Sequence, residues 1–228
     1  MRELGVLEGI LTENDRAARD NRRRLEQARV FTMNVMASPG AGKTSLIARA
    51  IEHLQPKLHI AVIEGDIASS IDADHLARMG VPTVQINTGG ACHLEAQAVS
   101  EALARLPLER LDLLFLENVG NLVCPISFDL GETCKAMVSS VAEGDDKPQK
   151  YPAMFQAVDV VILNKIDLHG ICPFERDAFL RAVGQLNPSA AIFELSCLTG
   201  AGVEAWTTWL EEQVSTGPAF RRTSGSGD

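Results

Sequence analysis

Ala37-Ser38-Pro39-Gly40-Ala41-Gly42-Lys43-Thr44 is the stretch on which the fold turns. It follows a β-rich apolar run at residues 30–36 and leads into a helical pattern at 43–53. The glycines therefore sit where a strand must turn into a helix. Gly40 and Gly42 can take backbone angles that aim successive N–H groups into one concavity, and a helix starting near Gly42 adds the positive end of its dipole. Such a loop holds phosphate through the backbone of Gly40, Ala41 and Gly42 and of the first helical residues to Ser45. Lys43 is placed to bridge β- and γ-phosphates, and the Thr44 hydroxyl to ligate Mg²⁺. One position departs from the usual phosphate-loop pattern, which has a glycine where Ala37 stands.

Working outward from this loop, strands alternate with helices. Strand-like runs fall at residues 30–36, 59–63, 82–86, 111–116, 136–141, 158–163 and 191–195. Helical patterns fall at 43–53, 71–79, 94–105, 174–186 and 203–214. This alternation predicts parallel βαβ units in an α/β fold, a doubly wound, mostly parallel sheet of the P-loop type. The chain has 228 residues, 46% hydrophobic and 22% charged. Those values exclude a disordered or fibrous chain.

In a doubly wound sheet, ligands sit beyond the carboxyl ends of the strands. The run at 158–163 enters Asn164-Lys165-Ile166-Asp167. Asp167 can accept from both guanine N1–H and the exocyclic amine, a donor pair that adenine lacks. Asn164 would tie this loop to the phosphate loop, and the Lys165 stem would cover the base. The next strand ends in Ser196-Cys197-Leu198-Thr199, where a backbone N–H can meet guanine O6. Two guanine motifs in this order predict a GTPase (G domain) binding GTP and GDP.

Acids at the ends of the intervening strands, Asp66 and Glu117, are the candidates for Mg²⁺ and for handling the attacking water; most GTPases carry aspartate where Glu117 stands. With Lys43 they form the expected catalytic set. No glutamine stands next to Gly120, and no arginine finger is visible, so slow hydrolysis to GDP and phosphate is expected.

Cys92 and His93 are adjacent where a loop enters a helix, and Cys124 follows the fourth strand. Both segments leave the same edge of the sheet, so the three side chains can converge near the nucleotide. Thiolate and imidazole suit Ni²⁺ or Zn²⁺ and not Mg²⁺. On spacing alone, ligation and packed thiols beside a surface histidine both stay open. Trp206 and Trp209 read as a core face of the last helix.

Six of the 15 arginines fall within residues 16–29. With Thr12 as a loose start signal ahead of Asp15, this window reads as a helix in an arm at 1–29. It is either solvated or a docking surface for an acidic partner. Residues 30–214 form the GTP-binding domain and 215–228 a flexible tail. The 30 acids against 21 bases give a net charge of −9, which argues against nucleic acid as partner. No apolar run approaches the roughly 20 residues needed to cross a bilayer. Five cysteines in this length make no disulfide scaffold and fit reduced thiols, so a cytoplasmic protein with no membrane partner is expected.

The segments SPGAGKT, CHLEA, ENVGNLVCP, DLGE, NKIDL and SCLTGAG together resemble the HypB family, the GTPases that assist nickel insertion during [NiFe]-hydrogenase maturation. The resemblance covers roughly residues 30–214. It implies a metallochaperone with nucleotide-gated metal binding and homodimerisation, and a Ni or Zn site at Cys92, His93 and Cys124. It also implies Lys147 and Lys150 near a nucleotide across a dimer interface. A HypA-type metallochaperone and a hydrogenase large-subunit precursor are the implied partners. The alternative is a metal-independent regulatory GTPase switch that binds a protein effector. Two departures stand out: the first cysteine is Cys92 and the first histidine His53, and Gly90-Ala91 replaces the family's usual Lys-Gly. Nickel storage is therefore not expected.

Overall fold

A computed structural model describes residues 3–66 and 71–217, with side chains described for 11–66 and 73–217. Seven strands form one parallel sheet: β1 (Phe31–Ala37), β2 (Ile60–Asp66), β3 (Thr83–Asn87), β4 (Leu113–Glu117), β5 (Cys134–Ser140), β6 (Val160–Asn164) and β7 (Ala191–Glu194). Their spatial order is β3-β2-β4-β1-β5-β6-β7. β1 lies between β4 and β5, with Val35 beside Glu117 and Ala37 beside Val138. All seven residues of β1 are buried, as expected for a strand covered on both faces.

The helices cover both faces. α2 (Lys43–Leu54) and α8 (Val203–Thr216) pack on one. Leu46, Ile47, Ile51, Trp206 and Leu210 meet Met33, Val35 and Phe115 there. Trp206 is fully buried and Trp209 packs against Phe193, ring centroids 5.5 Å apart and planes tilted by 50°, so the paired tryptophans do face inward. On the other face, α4 (Ala96–Leu103) and α1 (Glu3–Ala28) cover Leu114 and Leu116. Met154 and Phe155 of α6 (Pro152–Gln156) and Phe179 and Val183 of α7 (Arg176–Leu186) cover Val161 and Leu163. Removing each such aliphatic side chain from water contributes about 1.5–3 kcal/mol. The remaining helices are α3 (Ile71–Arg78) and the short α5 (Lys147–Lys150).

Strand positions agree with the sequence reading to within three residues, the largest difference being the end of β2 at Asp66, but α1 differs. It runs unbroken from Glu3, so Thr12 starts nothing. Gly5 and Gly9 ahead of Thr12 are poor helix formers, yet the helix runs through them and leaves no chain break for a cap to serve. Its end is specified by Arg29, at φ 61°, where Arg29 N–H donates to Glu26 and Val30 N–H to Leu25. This is the paired-bond C-terminal motif usually given to glycine.

The solvated reading of α1 describes one face only. Arg16, Arg19 and Arg23 are exposed, while Asn14, Ala18, Asn21 and Leu25 form a buried stripe at helical spacing. Arg22 turns inward to a bidentate pair with Asp129, at 2.8 and 2.9 Å. α8 extends to Thr216, and the rest of the expected tail, residues 218–228, lies outside the described residues. Among the described residues no helix is long and apolar enough to cross a membrane.

Candidate nucleotide and metal site

All the motif residues lie past the carboxyl ends of the strands, along one edge of the sheet. The phosphate loop follows β1. Gly40 has φ 76° and Gly42 φ 105°, angles strained for residues with a Cβ. At Gly42 a Cβ would stand 2.4 Å from Asn164 Nδ2, so glycine is required there for space as well as for angle. Gly42 is the N-terminal flank of α2, and Lys43 and Thr44 open the helix. Ser45 is exposed on its first turn.

The base-reading loops are bound to this loop and to each other. Asn164 is 1% exposed; its amide donates to Ala41 O at 3.0 Å, and its oxygen accepts from Lys165 N and Cys197 N. Lys165 is left-handed, at φ 60°, and its Nζ donates to Gly40 O at 2.7 Å, which lays its stem along the expected base position. Ser196 Oγ donates to Asp167 and accepts from Thr199 N. Leu198 is exposed, and Cys197 is buried, its thiol pushed up to about 11 by burial.

Two contributors were not legible beforehand. Arg49 of α2 donates through Nε to Cys197 O at 2.7 Å and through a terminal nitrogen to Leu198 O at 3.3 Å. It clamps the loop after β7. Glu143, just past β5, accepts from the Ser38 hydroxyl and has Lys147 Nζ 3.8 Å away. Burial pushes the Glu143 carboxyl up, against the pull of Lys147 and Lys165. Lys150 instead pairs with Asp146 at 2.5 Å. Neither arginine nor glutamate, alone in a helix or a loop, carries a sequence signal for such contacts.

On the β4 side, the Thr44 hydroxyl donates to Glu117 Oε1 at 2.7 Å. Thr44 and Glu117 thus present oxygen donors at one point, a set that fits a hard divalent cation such as Mg²⁺. Glu117 is 3% exposed and sits beside Glu64 of β2. Asp66 ends β2, half-buried, next to residues 67–70, which lie outside the described residues.

The ligand atoms of Cys92, His93 and Cys124 all lie within 4.8 Å of one another. Cys92 Sγ is 3.6 Å from His93 Nδ1. Asn121 links the two loops, donating to Cys92 O at 3.3 Å and accepting from Val123 N. His93 stacks on Phe128 with centroids 3.7 Å apart, which fixes the plane of its ring. A hydrogen bond with the Cys124 thiol, with some burial, holds the Cys92 thiol up, and burial holds His93 down despite Glu95. The imidazole is therefore neutral, the form that ligates metal. Two sulfurs and a nitrogen fit a borderline-soft transition ion.

The metal and nucleotide loops meet at two consecutive residues. Glu117 holds Thr44, and Asn118 Oδ1 accepts from Leu94 N at 3.0 Å, one residue past His93.

A family model described as the CobW/HypB/UreG nucleotide-binding domain matches residues 31–194. The hydrogenase maturation factor HypB of Azotobacter vinelandii is 47% identical over 215 residues, spanning 94% of this chain and 71% of that protein. The crystal structure of HypB from Helicobacter pylori in complex with nickel superposes with a TM-score of 0.84 at 37% identity, covering 89% of this chain and 95% of that one. The crystal structure of HypB from Archaeoglobus fulgidus gives 0.84 at 36%, covering 89% and 99%.

Proposed function

This chain belongs to the HypB branch of the CobW/HypB/UreG family, and from that premise we propose that it is a GTP-hydrolysing metallochaperone that assists nickel insertion into a [NiFe]-hydrogenase. The observation that carries the reading is the junction at the end of β4. Adjacent residues Glu117 and Asn118 touch the phosphate side and the metal loop respectively. Any shift of this strand end as the nucleotide changes moves both contacts, which is the physical requirement for metal binding gated by nucleotide.

The residues act as follows. Backbone N–H groups from Gly40 to Ser45 and the Lys43 ammonium hold the phosphates. Asp167 selects guanine, Lys165 covers the base, and, with the Cys197 N–H held by Asn164, the Leu198 N–H meets O6. Thr44, Glu117 and Asp66 would hold Mg²⁺, which neutralises phosphate charge when bound. Asp66 and Glu117 are also the groups placed to orient water. The residue after Gly120 is Asn121, whose amide is already committed to Cys92 O and Val123 N. It contributes nothing to the transition state, and turnover is slow.

Cys92, His93 and Cys124 hold Ni²⁺ or Zn²⁺ as cargo with three ligands, and a second copy of the chain facing this edge completes the coordination. The partners are that second copy, a HypA-type metallochaperone and a hydrogenase large-subunit precursor, in the cytoplasm.

Size-exclusion with light scattering and metal analysis tests this, using GDP or a non-hydrolysable GTP analogue, with and without Ni²⁺. Wild type is expected to carry metal and to dimerise, and Cys92→Ala and Cys124→Ala to lose the metal. Metal content unchanged in both variants, with nucleotide-dependent partner binding that survives chelators, would support a metal-independent switch instead.

A further inference from the structure

Cys92 is held by Asn121 and His93 by Phe128, and the chain just after them is also held tightly. Leu94 N–H donates to Asn118, and the Leu94 side chain lies so close on Gly65 that a Cβ there would be 2.6 Å away. Ala96 opens α4, whose flanking residue Glu95 supplies no side-chain cap. The cap comes from another helix. Asn14 Oδ1 of α1 accepts from Ala96 N–H at 2.8 Å, and Asn21 Nδ2 of α1 takes Ala96 O, also at 2.8 Å. The remaining Asn14 donor goes to Asp129 O at 2.8 Å, one residue past Phe128, on which His93 stacks.

We propose that Asn14 is a positioning residue for the metal site: by capping α4 and holding the Phe128–Asp129 backbone, it fixes both the chain that carries Cys92 and His93 and the ring that orients His93. The inference rests on the Cys92–His93–Cys124 site proposed above. It makes the N-terminal helix part of the metal centre's support. In an arginine-rich helix, Asn14 is a polar residue that burial alone does not favour; at 6% exposure its two hydrogen bonds account for its place. Groups that orient metal ligands through a second contact typically change affinity 10- to 100-fold.

Ni²⁺ titration of the full chain, followed by the thiolate-to-nickel charge-transfer band, provides the test. Asn14→Ala is expected to bind Ni²⁺ roughly tenfold more weakly and to speed amide exchange at Leu94 and Ala96. Asn14→Asp keeps the cap acceptor but loses the donor to Asp129 O, so it is expected to restore slow exchange at Leu94 and Ala96 and to recover Ni²⁺ affinity only in part. Cys124→Ala serves as the reference. If it leaves Ni²⁺ affinity unchanged, the site itself is wrong. If it weakens binding while Asn14→Ala binds as wild type, the positioning role alone is overturned. Amide exchange at Leu94 and Ala96 as fast in Asn14→Asp as in Asn14→Ala also overturns it, because the loss would then follow helix docking and not the cap.

Discussion

The two halves of the nucleotide edge are built differently. On the base half, the loops after β6 and β7 hold one another and the phosphate loop: Asn164 bonds Ala41, Lys165 and Cys197, and Ser196 bonds Asp167 and Thr199. The pocket is assembled mainly from its own motif residues, with Arg49 of α2 clamping the loop after β7. On the metal half, the chain around the exposed Cys92 and His93 is bonded by asparagines from elsewhere: Asn121 at Cys92 O, Asn118 at Leu94 N and Asn14 at Ala96 N. A self-bonded pocket suits recognition that stays constant through a nucleotide cycle. A ligand set held by borrowed contacts can shift when a strand end shifts, as the proposed gating requires.

The largest expected effect separates the halves. Lys43→Ala should lower GTP turnover roughly 10²–10³-fold, because the cation facing the phosphates is lost; Ni²⁺ affinity without nucleotide should not change. A parallel loss of both would show that the halves are one unit. Next, Asp167→Ala should weaken GTP binding roughly 100-fold. It should weaken ITP, which lacks the exocyclic amine, by less; equal losses would place the base contact elsewhere.

Gly42→Ala tests the self-bonded half directly. Its Cβ meets Asn164 at 2.4 Å at a left-handed angle, so denaturant unfolding should show about 1–3 kcal/mol of lost stability. Gly40→Ala, with nothing within 4 Å of the new atom, should show only the smaller cost of its angle.

The smallest effect concerns pH. Burial raises the Glu143 carboxyl above the usual range. A raised carboxylate contributes stability that is full below its unfolded pKa and is lost as pH rises through the folded one. The sign is the same for phosphate binding, because protonation removes a charge beside Ser38. GTP affinity should therefore gain about threefold in wild type as pH falls from 7 through that range. Glu143→Gln should lack the gain. Identical profiles would remove Glu143 from the phosphate edge.

What was legible follows the same division. The β1 turn, Asn164, Asp167 and Ser196 could be read because each stands in a short contiguous motif at a strand end, although Asn164 also reaches Cys197 and Ser196 reaches Asp167. The strands were read within three residues because parallel strands buried on both faces are continuous apolar runs. The cap from Asn14, the clamp from Arg49 and the Phe128 stack were not legible. Each joins residues more than 30 positions apart, and a lone asparagine or arginine on a helix reads as solvated. The start at Thr12 failed because a capping pattern inside a good helix has no end to cap. Cys92, His93 and Cys124 were nominated by sheet topology and by family resemblance, and the fold brings them within 4.8 Å.

The most direct test of the proposed coupling is Ni²⁺ affinity measured on the same protein with GDP and with a non-hydrolysable GTP analogue. The account predicts affinities that differ at least about fivefold between the two states, with the difference abolished in Cys124→Ala. Equal affinities in both nucleotide states would contradict it.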